Sequence, residues 1–315
     1  MENRIIFMGT PAFSGPCLEA LIKQSHFNIV SVYTQPDKEA GRGQKIITSP
    51  VKLLALSHDI KVVQPVSLKN TEAISQIKAL APDVVVVAAY GKIIPAEILS
   101  IPGYGCLNVH PSLLPKYRGA TPIPSAILSG DIMTGVSIML LDAGMDSGPV
   151  FKQRAEAITE DDTSSTLADR LSQIGAEMLT EILPLWLEGK IQPEPQDHNL
   201  ATYTRMINKE DGRIDWNSSA AEIWRKVRAL QPWPGCYTTW QGKNLKIMRC
   251  KPMDHKAGAQ PGSVISLVVE GKMVAGVTCR AGTLALLQVQ LEGKKAIGTD
   301  EFIRGQRGFM GSILL

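Results

Sequence analysis

Val84-Val-Val-Val-Ala88 decides the fold. Five consecutive apolar residues, four of them β-branched and none alternating with polar ones, are what a parallel strand buried on both faces requires. Arg4-Ile-Ile-Phe-Met8 and Ile29-Val-Ser-Val-Tyr33 have the same character. Between these runs, residues 15–24, 50–58 and 71–80 carry apolar side chains at helical spacing, the last two opened by Pro50 and Thr71. Strand–helix alternation of this kind predicts an α/β fold, an open doubly wound parallel sheet. Such sheets bind ligands beyond the carboxyl ends of their strands.

Cys106-Leu-Asn-Val-His110 is a further short strand, stopped by Pro111. Side chains two apart on a strand share a face, so Asn108 and His110 project together at a carboxyl end. An amide donor beside an imidazole suits a carbonyl that must gather negative charge on its oxygen. Leu140-Leu-Asp-Ala-Gly-Met-Asp-Ser-Gly148 follows the run 136–141. Asp146, arriving from this Gly-rich loop, can orient the imidazole and favour its protonated form. Asp142 stands nearer the strand and is expected to form the turn. Met8-Gly-Thr-Pro-Ala-Phe-Ser-Gly15 lacks the G-x-G-x-x-G spacing, which argues against a dinucleotide loop.

Residues 34–49 form a long connection for an α/β unit, with Pro36, Gly41 and Gly43 beside Lys38, Arg42 and Lys45. Its Gly-Arg-Gly centre fits an element that offers a cation to an anionic ligand. Beyond Asp146, residues 149–153 are expected as an edge strand and 163–189 as a long helix capped by Thr163 and ended by Gly189. The polar, proline-containing stretch 190–208 is expected to be a linker. Residues 209–315 change character: after one helix, five short β runs separated by glycines suit a smaller OB-like β-barrel. The expected organisation is therefore a catalytic domain over 1–189, a linker over 190–208 and a barrel over 209–315.

Charge is distributed unevenly. Residues 209–315 hold 16 Lys/Arg against 9 Asp/Glu, whereas residues 1–208 hold 17 against 21. A basic last third on a mildly acidic body suits a polyanionic partner. The five cysteines are scattered, with no Cys-x-x-Cys, and the histidines show no metal-ligand spacing. A protein without metal or disulfides is expected. The apolar run within residues 1–8 is too short for a signal peptide or a membrane span, so a cytoplasmic protein is expected; a monomer is expected as well.

Along nearly its whole length the sequence resembles the methionyl-tRNA formyltransferase family. The resemblance rests on Phe7-Met-Gly-Thr-Pro-Ala-Phe13, Pro36-Asp-Lys with Gly41-Arg-Gly43, Ala88-Ala-Tyr-Gly91, and Asn108-Val-His-Pro-Ser-Leu-Leu-Pro-Lys-Tyr-Arg-Gly-Ala120. It extends through Asp142-Ala-Gly-Met-Asp-Ser-Gly-Pro149, Lys209-Glu-Asp-Gly-Arg-Ile-Asp-Trp216 and Arg228-Ala-Leu-Gln-Pro-Trp-Pro-Gly235. What it implies is a formyltransferase-type Rossmann-like domain and formyl transfer from 10-formyltetrahydrofolate to the α-amino group of methionyl initiator tRNA. By the same resemblance Asn108 and His110 stabilise the oxyanion and Asp146 holds His110. Ser112, Leu113, Leu114 and Pro115, with Tyr90 and Gly91, would meet the folate. Arg42, with Lys38 and Lys45, would meet the tRNA, and the barrel would also touch it. Gln44 stands where many relatives carry a second lysine. The alternatives are formyl transfer to a sugar nucleotide or glycinamide ribonucleotide, hydrolysis of formylfolate, and a catalytically dead RNA-binding relative.

Overall fold

A computed structural model describes residues 2–40, 45–255 and 258–315. The chain divides into two units. One holds Met1–Pro122, Met133–Ala157 and Leu167–Arg205; the other holds Ile123–Ile132, Ile158–Thr166 and Met206–Leu315.

The first unit is built on a seven-stranded sheet in the order Val150–Ala157, Met133–Leu140, Cys106–His110, Val84–Ala88, Asn3–Gly9, Phe27–Tyr33, Val62–Val63. The last five strands are parallel, and Val84–Ala88, the middle strand of the seven, has no residue open to solvent. Pro50 and Thr71 open helices Pro50–Ser57 and Thr71–Ala79, capped by the side chains of Ser49 and Asn70. The two remaining strands are antiparallel, so the sheet is mixed. An apolar run reports burial and not direction, which is why the sequence alone suggests a wholly parallel sheet. The expected edge strand is Val150–Ala157, and the long helix runs Ser164–Leu187, with Thr163 Oγ1 accepting from Thr166 N.

Residues 190–205, expected as part of a linker, are bonded into this unit. Glu194 pairs with Val150 through both backbone groups, and Tyr203–Thr204 forms a short parallel pair with Arg118–Gly119. Pro193 and Pro195 give the stretch a loop composition, while Glu194, Gln196 and Thr202 between and after them supply the bonds that dock it. The 34–49 connection contains an antiparallel hairpin of Lys38–Ala40 with Lys45–Ile47. Its base is fixed by Lys52 Nζ on Asp37 Oδ2 at 2.6 Å, and by Gln64, which donates to Asp37 Oδ1 and to the Gln35 carbonyl.

The second unit is an antiparallel sheet in the order Cys236–Trp240, Lys243–Met253, Thr283–Leu291, Lys272–Thr278, Val264–Val269, with Ile297–Gly298 added on Thr283–Leu291. Residues 311–315 close it. Leu315 exchanges backbone bonds with Thr239 on one edge strand, and Gly311 and Ser312 bond Val264 on the other. A T-shaped trio of Trp240, Phe302 and Phe309 packs the interior, where Trp216 also lies. Trp233, by contrast, is 61% exposed. No helix among the described residues is long and apolar enough to cross a membrane.

Candidate active site

Asn108 and His110 lie on the strand Cys106–His110, whose neighbours are Val84–Ala88 on one side and Met133–Leu140 on the other. Both are mostly buried, at 9% and 4% exposure. The strand is flanked by sheet on both sides, and the two polar side chains stand toward its carboxyl end, after the buried Cys106 and Leu107. Among the described residues no protein group hydrogen-bonds the Asn108 side-chain amide, nor is that amide sealed from solvent.

His110 meets an acceptor at each ring nitrogen. Nε2 lies 3.1 Å from the Tyr117 carbonyl, and Nδ1 lies 3.7 Å from Asp146 Oδ2. A carbonyl can only accept, so Nε2 carries a hydrogen. Burial holds the imidazole's pKa below its ordinary value; the Asp146 carboxylate and the Tyr117 carbonyl pull the other way. The Asp146 carboxylate thus acts in the direction expected of it, toward the protonated ring, and burial acts against it. Desolvation outweighs the carboxylate, which at 3.7 Å makes no hydrogen bond to the ring, and the resting imidazole is neutral near pH 7.

Asp146 adopts a left-handed backbone, φ +47°, rare for a residue with a Cβ. Its Oδ2 accepts from the Gly119 amide at 2.7 Å, and its carbonyl accepts from Gln196 Nε2 at 2.9 Å. Asp142 behaves as the turn former, accepting from the Gly144 amide and from Ser147 Oγ.

The stretch 112–115 folds onto the sheet through its backbone. Ser137 Oγ donates to the Ser112 carbonyl and accepts from the Leu114 amide, while Gln153 donates to the Leu114 carbonyl. Ser112 and Leu114 are buried, Ser112 Oγ being spent on the Lys116 carbonyl; Leu113 and Pro115 stay partly exposed. Tyr90 is buried as well, and burial pushes its phenol up to about 12, so the ring belongs to the core. What residues 89–91 bring near Asn108 is backbone. The strand they follow pairs Val87 with Asn108, and Gly91 is exposed at φ +79°. A Cβ at Gly91 would fall 2.3 Å from Gln35 Nε2, which bonds the Tyr90 and Gly91 carbonyls.

Lys38 is exposed at the start of the hairpin. Arg42 lies outside the described residues, as does the side chain of Lys45. Three participants went unseen in the sequence: Tyr117, Arg118 and Gln196. Arg118 had one signal, a cation next to Gly119 just past the strand; Gln196, in a polar proline stretch, had none. All five cysteines are buried, and burial pushes the Cys17, Cys106 and Cys236 thiols up to about 12. Thiols so held are poor nucleophiles.

The Formyl transferase family matches residues 3–183, and the family of the formyl transferase C-terminal domain matches residues 206–307. A methionyl-tRNA formyltransferase of Caldanaerobacter subterraneus subsp. tengcongensis is 48% identical over 312 residues, covering 99% of each chain. One from Geobacter sulfurreducens is 43% identical across 96% of this chain and 94% of its own. Among solved structures, an N-formyltransferase from Helicobacter canadensis with folinic acid and dTDP-3-aminofucose superposes with TM-score 0.65. It is 19% identical over 91% of this chain and 99% of that one. HypX from Aquifex aeolicus in complex with tetrahydrofolic acid gives TM-score 0.63 at 17% identity, over 99% of this chain and 49% of that one. At such identities the two structures speak for the fold alone.

Proposed function

The chain belongs to the methionyl-tRNA formyltransferase family, and from that membership we propose that it moves the formyl group of 10-formyltetrahydrofolate to the α-amino group of methionyl initiator tRNA. The product is formylmethionyl-tRNA for translation initiation. The observation that carries this reading is the 48% identity across 99% of both chains.

The chemistry needs no protein nucleophile, in keeping with five buried thiols of raised pKa. The amine attacks the formyl carbon, a C–N bond forms, and the carbonyl oxygen becomes an oxyanion. The Asn108 amide, free of protein partners among the described residues, donates to that oxyanion. The attacking nitrogen must shed a proton. With hydrogen already on Nε2, a neutral His110 offers Nδ1 as base. Protonation there turns two facing acceptors into an imidazolium–carboxylate pair with Asp146, and that imidazolium adds its charge to the oxyanion's stabilisation. Collapse breaks the carbon–N10 bond, and N10 takes the proton back from the imidazolium, leaving tetrahydrofolate and restoring the neutral ring. The exposed residues Ala89 and Gly91, with Leu113 and Pro115, are the groups best placed to hold the folate. Lys38, Arg42 and Lys45 are assigned to the tRNA.

Transfer of labelled formyl from 10-formyltetrahydrofolate to charged initiator methionyl-tRNA tests the reading, with wild type beside His110→Ala and Asp146→Ala. Transfer by wild type that collapses in both variants, with folate binding retained, is expected. Consumption of the formyl donor only with a sugar nucleotide or water would overturn the substrate.

A further inference from the structure

Arg118 is among the largest fully buried side chains of the protein, at 1% exposure, yet the side chains that hold it are an amide, an imidazole and a phenol rather than a carboxylate. A buried charge normally carries a large desolvation cost and is kept only where its bonds are needed. Its guanidinium donates to Gln196 Oε1 twice, from Nε at 3.2 Å and from an Nη at 2.8 Å, and lies 3.1 Å from His198 Nδ1. With its oxygen held this way, Gln196 must turn its NH2 to the opposite side. There it donates to the carbonyls of Asp146 at 2.9 Å and Gly148 at 2.6 Å. An amide held by a guanidinium cannot flip, because reversal would set two donors face to face.

The loop so clamped needs clamping. Asp146 sits at φ +47°, a conformation that persists only where its surroundings over-determine it. Three bonds do so: two from Gln196 to backbone carbonyls, and one from the Gly119 amide to the carboxylate. Gly119 is the residue after Arg118, and Tyr117, the residue before it, gives its carbonyl to His110 Nε2. Three consecutive residues thus touch His110, Gln196 and Asp146. They are fixed in turn by Thr202 and Thr204, which bond the backbone of 117–119.

We propose that Arg118 and Gln196 are positioning residues, a buried relay that fixes the tautomer-setting carbonyl of Tyr117 and the carboxylate of Asp146 about His110. The inference rests on the roles of His110 and Asp146 in formyl transfer. Arg118 and Gln196 touch no reacting atom; they act by aim.

Two variants separate aim from folding. Gln196→Glu keeps a strong partner for Arg118 but cannot donate to the Asp146 and Gly148 carbonyls. Gln196→Leu removes both bonds and leaves Arg118 buried with fewer partners. In the full-length protein with charged methionyl-tRNA, Gln196→Glu is expected to stay folded, with a melting temperature lowered by the loss of its two bonds to the loop, and to keep the wild-type KM for formylfolate. Its kcat is expected to fall by about a hundredfold, the scale of a misplacement near 1 Å. The chemical shift titration of the His110 ring, followed by NMR, should move relative to wild type as Asp146 drifts, a readout that needs no turnover. Unchanged kcat and an unchanged His110 titration in a folded Gln196→Glu protein would overturn the proposal. So would losses in Gln196→Leu that merely track its unfolded fraction while Gln196→Glu is fully active. If instead wild type itself forms no formylmethionyl-tRNA, it is the function that fails; the NMR titration still decides whether Gln196 positions Asp146.

Discussion

His110 stands between a carbonyl and a carboxylate in a site that disfavours charge, and the balance among these sets when it carries a proton. Burial dominates and the ring rests neutral; Asp146 opposes that shift. Since the proposed base is the neutral ring, kcat should fall as pH drops through the His110 pKa, on an acid limb below the ordinary value of about 6.5. Asp146→Asn removes the influence that raises the pKa, so its limb should lie at still lower pH, together with a loss of about a hundredfold or more at the plateau. A limb that moves up in pH would contradict the assignment; a pH–rate series on both proteins decides. The same shift has a stability sign. The folded pKa lies below the unfolded one, so the neutral ring's contribution is fully present above about pH 6.5 and is lost as pH falls through the folded value. Wild type should therefore lose melting temperature between about pH 7 and about pH 5 more steeply than His110→Gln, which differential scanning calorimetry can measure. Residue identities here were largely legible beforehand. Period two placed Asn108 beside His110, and glycines marked the Asp146 loop. Protonation was not legible, because it depends on desolvation by residues far apart in the chain.

At the scale of elements, the short strand Arg118–Gly119 matters more than its length implies. Its pairing with Tyr203–Thr204 brings a glycine backbone against the Asp146 carboxylate, and a side chain there has no room. A Cβ on Gly119 would meet the Thr204 carbonyl and Oγ1 at 2.9 Å and Met145 Sδ at 3.2 Å, at a backbone φ of +111°. Gly119→Ala should thus cost about 1–3 kcal/mol of stability and displace the amide that holds Asp146, lowering kcat while formylfolate KM stays near wild type. Denaturant unfolding and steady-state kinetics on the purified variant check both halves. An Ala variant as stable and active as wild type would mean that the 117–119 segment is not rigidly held. Such pairings escape a sequence reading for a plain reason. Two residues carry no periodicity, and Gln196 gains its function only by docking against a loop about fifty positions earlier. The long strands and helices were legible because burial on both faces and helix starts leave local marks at Val84–Ala88, Pro50 and Thr71.

Across the whole molecule the first 208 residues are mildly acidic and residues 209–315 clearly basic. The strand Lys243–Met253 shows how the second unit displays that charge. Leu245 and Ile247 point into its core, while Lys246, Arg249 and Lys251 are exposed. Lys246 pairs across the sheet with Gln290, and Arg249 with Gln288, so no acid answers them from the neighbouring strand. Cations arranged in a row on a rigid strand suit a phosphate backbone, and each phosphate they neutralise releases counterions. KM for tRNA should therefore rise steeply with salt while KM for formylfolate, a small ligand, responds much less. The triple variant Lys246→Ala, Arg249→Ala and Lys251→Ala should keep its fold, since these side chains lie outside the core. It should raise KM for tRNA at low salt, and the slope of log KM against log salt should flatten by roughly 0.7–0.9 for each phosphate that is no longer neutralised. Equal slopes for variant and wild type would place the polyanion on another face of the protein. A slope that flattens for both tRNA and formylfolate would mean that the charges act on the active site rather than on the nucleic acid.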